Sequence, residues 1–136
     1  MSGEGWTSYD FAVLRAVPHP HLGPWVPLGV ILHARTAGFL GMRILDPETV
    51  RKRIPGMDHE RLLRYLASLE AVCEGREGAG PLALDPPSER FHWMTSPRSD
   101  VLQPSPVHGG LTRDPAETLE RLFRCHVKGV GEELGA

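Results

Sequence analysis

Lysine is nearly missing from this chain. Thirteen of its 15 Lys and Arg residues are arginine, so almost every cation is a planar guanidinium fork suited to carboxylates and phosphates. Two cysteines occur, Cys73 and Cys125, too few for a disulfide-stapled scaffold. Both fall on apolar faces of expected helices, where a thiol acts as a small buried hydrophobe. The longest apolar stretch, Leu28 to Leu32, is far shorter than the ~20 residues a membrane-spanning helix needs. Neither charge sign dominates. Seventeen acidic residues oppose the 15 basic ones and leave a net charge of −2, so no global basic field points to nucleic acid. Met1 to Gly5 carries no basic start and no apolar segment of a secretory signal. The expectation is a soluble, cytoplasmic protein with no membrane partner.

Catalytic signatures are equally scarce. No Gly-x-Ser-x-Gly elbow and no phosphate-binding P-loop occurs. His19-Pro20-His21 places two imidazoles close together, but His33, His59 and His92 are scattered and no zinc spacing results. Gly75, Gly78 and Gly80 follow no strand, so they read as a connector rather than a dinucleotide fingerprint. Neither a metal nor a cofactor is expected.

The 136 residues suit one domain, with frayed ends expected at 1–6 and 130–136. Tyr9 to Val17 is apolar on both parities, as in a central strand covered on both faces. Trp25 to His33 predicts a second strand whose Pro27 and Gly29 suggest a bulge or an edge. Phe39 to Leu45 predicts a third, paired with the second as a hairpin across Arg35–Gly38. Asp46-Pro47-Glu48 starts a short helix. Asp58 caps a longer one with Leu62, Tyr65, Leu66, Leu69, Val72 and Cys73 on one face. Arg90 to Thr95 can form another strand, and Val101 to Gln103 a short one. Asp114-Pro115-Ala116-Glu117 starts a last helix with Leu119, Leu122, Phe123, His126 and Val127 inward. The order predicts an α+β fold: a small antiparallel sheet of four to five strands, with about three helices packed mainly on one face.

The polar segment from Glu89 to Gly110 is unlike an ordinary loop. Its prolines restrict the backbone and Gly109-Gly110 permits close approach. Arg98 suits a forked contact with a phosphate or carboxylate, and Ser99, Gln103 and Ser105 suit neutral hydrogen bonds. His108 is the one group there able to move a proton near neutral pH, a candidate catalytic residue. Arg15 and Arg43, each inside an apolar strand, are candidates to join from the sheet. Two readings stay open. Either these residues form an anion-binding pocket, or they satisfy the loop's own backbone.

Three blocks of sequence resemble a known family. They are Tyr9-Asp10-Phe11-Ala12-Val13-Leu14-Arg15 with Pro18; Val26-Pro27-Leu28-Gly29-Val30-Ile31-Leu32 with Gly38-Phe39-Leu40-Gly41-Met42-Arg43; and Arg90-Phe91-His92-Trp93, Arg98-Ser99 and Gln103-Pro104-Ser105-Pro106-Val107-His108 with Gly110. Together they resemble the bacterial domain of unknown function 3037 family over nearly the whole chain. The resemblance implies no reaction. It implies a partner, because members are often encoded beside HipA-like kinases. A non-catalytic binding or accessory protein is therefore expected. The alternatives are a phosphate-ester or nucleotide-directed protein using the Arg98–His108 loop, and a toxin–antitoxin component.

Overall fold

A computed structural model describes residues 5–17, 25–96 and 102–129. Arg98, Ser99, His19 and His21 lie outside these residues, as do most of the ends expected to fray. Three strands open the chain: β1 (Thr7–Ala16), β2 (Val26–Ala34) and β3 (Phe39–Ile44). Helices α1 (Pro47–Arg53), α2 (His59–Glu74) and α3 (Pro87–Met94) follow, then β4 (Leu102–Pro104), β5 (His108–Thr112) and α4 (Pro115–Phe123). The sheet is antiparallel in the order β3-β2-β1, with β4 and β5 both paired to the outer side of β1. The architecture is thus the expected α+β one.

Local chemistry explains the elements. Asp46, Asp58 and Asp114 accept hydrogen bonds from the backbone N–H of Thr49, Arg61 and Glu117, at 3.1, 3.1 and 3.2 Å. Each satisfies a donor that the first helical turn leaves orphaned. In the β1–β2 ladder Leu14 faces Gly29 but Arg15 faces Pro27, so Leu28 is the extra residue of a bulge. The sequence signal from Pro27 and Gly29 was sound. A Cβ at Gly29 would sit 2.8 Å from the Arg43 carbonyl oxygen of β3, so only glycine lets the strands close there.

Side chains alternate across the sheet, and two contacts separate its faces. On β3, Arg43 meets Glu120 and Phe123 of α4. On β2, His33 lies against Phe91 of α3, with ring centroids 5.3 Å apart. His33 pairs with Leu40, whose parity is opposite to that of Arg43. Therefore α3, with α2 packed on it, covers one face, and α4 covers the other. This double cover explains why seven consecutive residues of β2, Leu28 to Ala34, are buried. The core runs through Leu14, Leu28, Ile31, Leu32, Leu62, Leu66, Leu69 and Met94. No helix among the described residues is long and apolar enough to cross a membrane.

Three expectations need correction. Arg90 to Thr95 is not a strand but most of α3. Pro87 at its first turn and Glu89 just after it are helix-start signals, and Phe91 and Met94 are buried at helical spacing. Trp93, on the same helix, is partly buried against the core. Second, Cys125 and His126 are exposed. After Phe123 the helix widens into a π turn over Arg124–Lys128, which directs Val127 inward in their place. Third, His108 to Thr112 is a strand, although two glycines made it read as loop.

Two arginines lock helix ends. The Arg90 guanidinium donates to the carbonyls of Asp85, Val72 and Cys73 at 2.8–2.9 Å, closing the C-terminus of α2. Arg53 donates to the carbonyls of Val127 and Lys128, at 2.7 and 3.2 Å, and of Pro27 at 3.2 Å. It ties α1 to the bulge and to the end of the last helix. Arg90→Ala is expected to cost about 2–3 kcal/mol, because half-buried carbonyls lose charged donors. Arg90→Lys should recover less than half, since an ammonium lacks the fork. The midpoint of urea unfolding checks both.

Burial pushes the Cys73 thiol up to about 12, which leaves it protonated and inert. Ellman's reagent is therefore expected to modify Cys125 alone in the native protein, and Cys73 only after unfolding.

Candidate functional site

β4 and β5 act as one edge strand with a break at its centre. Gln103 faces Arg15 and Pro104 faces Leu14, but His108 faces Phe11. One residue is therefore extra between Pro104 and His108. Ser105 makes the break possible. Its N–H donates to the Val13 carbonyl at 2.8 Å, as an ordinary strand residue would. The Val13 N–H does not reach the Ser105 carbonyl and donates to Ser105 Oγ instead, also at 2.8 Å. The hydroxyl donates onward to the Pro106 carbonyl at 2.9 Å. Ser105 is buried. Its role here is to substitute for a missing ladder bond between two prolines that have no N–H to offer.

Arg15 lies beside this break. Its guanidinium stacks on Trp25, with Cζ 3.3 Å from the ring centroid, and donates from Nη2 to the Pro104 carbonyl at 3.2 Å. Its Nε is buried without a partner among the described residues. Burial also lowers its pKa below the ordinary arginine value. Trp25 remains half exposed, so the stack forms a cationic, aromatic corner at the end of the sheet.

His108 stands at the other end of the break. It is exposed, and its ring lies 5.8 Å from that of Phe11. His126, from the π turn, approaches the same ring at 5.6 Å. Two imidazoles thus flank one phenyl group, a pairing that helical periodicity missed because it turned His126 toward the core. Neither imidazole accepts or donates a hydrogen bond to another described side chain. A Cβ at Gly110, two residues along β5, would lie 2.6 Å from the Tyr9 hydroxyl oxygen, so the Tyr9 ring would have to move to admit it. The close approach expected at Gly109-Gly110 is therefore made by the Tyr9 ring of the neighbouring strand.

The predicted residues divide into groups. Arg15, Gln103, Ser105 and His108 all lie along the β1–β4–β5 edge. Arg15 and Phe11 are four residues apart on β1, so Arg15 and His108 are separated by about 13 Å along the sheet. Arg43 is on β3, the opposite edge, where its Nε donates to Glu120 at 2.7 Å. The sheet does not bring it to Arg15. Arg98 and Ser99 fall outside the described residues.

One buried imidazole escaped the sequence reading of the site. His33 sits beneath Phe91. Burial lowers its pKa below the usual imidazole value, Asp10 acts to raise it, and Arg35 lowers it again. Asp10 faces it directly across the β1–β2 ladder.

Replacing Ser105 by Ala strands the Val13 N–H in a partly buried ladder. The expected loss is about 1–3 kcal/mol, the cost of an unsatisfied donor. Urea unfolding measures it, and faster hydrogen exchange at the Val13 amide locates it.

Comparison with curated proteins and with solved structures finds no match for this chain. One family does match, described as Protein of unknown function (DUF3037), over residues 11–127. That span runs from Phe11 in β1 to the buried valine of the π turn and takes in part or all of every strand and helix described above. The chain belongs to this DUF3037 family.

Proposed function

We propose that this protein is a non-catalytic binding or accessory protein that works with another protein. The observation that carries this reading is the internal use of the polar groups that a catalytic pocket would need. The Ser105 hydroxyl replaces a ladder carbonyl, Arg15 holds the Pro104 carbonyl and Trp25, and Arg43 holds Glu120. His108 faces solvent with no described carboxylate to orient it, whereas a general base is normally fixed by a second group. Its separation of about 13 Å from Arg15 exceeds the reach of one phosphate group. Exposed apolar side chains lie along this side of the sheet, Trp25 on Arg15 at one end and Val107 and Leu111 in and beside β5. Solvent-facing aromatic and aliphatic groups of this kind suit a protein partner.

The partner implied by the family resemblance is a HipA-like kinase. Co-expression with a HipA-like kinase, followed by size exclusion, tests the reading. Co-elution as one complex is expected, and Trp25→Ala should weaken it at least about tenfold if the exposed corner takes part. Separate elution at micromolar concentration overturns the kinase assignment. Turnover of a nucleotide or phosphate ester by the wild-type protein, abolished in His108→Ala, overturns the non-catalytic reading itself.

A further inference from the structure

The edge strand uses one of its two sides. Among the described residues no strand pairs with the outer side of β4 or β5. The exchange between Ser105 and Val13 sets the phase of the ladder. Odd-numbered residues of β1 turn their N–H and C=O toward the edge strand. His108, Gly110 and Thr112, opposite Phe11, Tyr9 and Thr7, therefore direct theirs to β1. Gly109 and Leu111 direct both backbone groups outward.

The two halves of this edge differ in protection. In the β4 half, Pro104 and Pro106 have no N–H to offer, and Arg15 occupies the Pro104 carbonyl. Such devices normally keep a sheet edge from pairing. From His108 to Thr112 there is no proline, lysine, arginine or carboxylate. Leu111, next to the centre of this stretch, is 65% exposed.

We propose that β5 is a self-pairing edge. A second copy of this chain docks on it antiparallel, about a twofold axis at Gly110, and joins two five-stranded sheets into one. The strand is complementary to itself in this register. Gly109 of each copy falls opposite Leu111 of the other, so the outward backbone groups of both residues find partners. The exposed leucine then lies over a residue with no side chain, on the sheet face away from α4. His108 falls opposite Thr112, and Arg113, stacked on the exposed Trp6 at 4.6 Å, falls opposite Val107, itself 45% exposed. No like charges meet. One axis satisfies both outward residues and seats both leucines at once, which only a second copy supplies. The proposal goes beyond the accessory reading and does not depend on it. A contact of this size belongs to the small, weak class, so association is expected at micromolar concentrations.

Sedimentation velocity over about a hundredfold range of concentration tests the proposal. The mass is expected to rise from the 15.0 kDa of one chain toward twice that value. Leu111→Lys places a charge against its own symmetry mate's strand, and Leu111→Pro removes an outward N–H without breaking a bond to β1. Each is expected to weaken association at least about tenfold while circular dichroism and the urea midpoint hold steady. Should Leu111→Pro disturb the fold, Leu111→Lys decides, because its side chain is exposed. Hydrogen exchange fixes the register: protection at the Gly109 and Leu111 amides rises with concentration, while Gly110 is protected throughout. A single species of one-chain mass at every concentration overturns the proposal. So does a dimer that Leu111→Lys leaves intact.

Discussion

Strand β1 bears hydrogen bonds on both of its sides, and every other strand except β3 is held through it. Its even side carries the long ladder to β2, and its odd side carries β4 and β5 in succession. Both ladders contain one irregularity. The bulge at Leu28 relieves the first, and the Ser105 hydroxyl spans the second. The break in the edge strand thus costs no buried hydrogen bond at Val13, and the chain can change phase between two prolines without leaving the sheet.

Arginine chemistry completes this frame. A helix ends with carbonyls that no residue of its own can satisfy, and a forked cation can take several of them together. Arg90 does this for α2 from the side of α3, and Arg53 does it for the last turn from the side of α1. Arg43 reaches from β3 to Glu120 of α4 and lies over the Phe123 ring. These contacts each join elements distant in the chain. The edge bounded by Trp25, Val107 and Leu111 is left as the apolar, solvent-facing part of the sheet.

Much of the fold was legible from residue order. A capping Asp, followed by Pro in two cases, marked three helix starts, and those starts are observed at Asp46, Asp58 and Asp114. A continuous apolar run marked β1 as covered on both faces, and helices on both sides of the sheet provide that cover. The segment 90–95 misled because Arg90-Phe91-His92-Trp93 alternates polar and apolar residues as a strand does. Its true period appears only when Pro87 and Glu89 are read with it. Of the candidate site, the stretch from Gln103 to His108 was correctly recognised as unusual. The reason for its character was not legible, because a hydroxyl replacing a carbonyl depends on which strand lies alongside.

Local chemistry therefore determined the α+β class, the caps, the hairpin and the bulge, since these are set by residues within a few positions of one another. Tertiary structure decided the rest. It made a strand of His108-Gly109-Gly110-Leu111-Thr112, whose glycines resist that conformation until Tyr9 covers one of them. It placed Arg43 on one edge strand and Arg15 beside the break in the other, and it left His126 exposed against Phe11. Register between distant strands, and the width of a helical turn packed against them, are fixed by which partners satisfy the backbone; no local pattern of side chains encodes that choice.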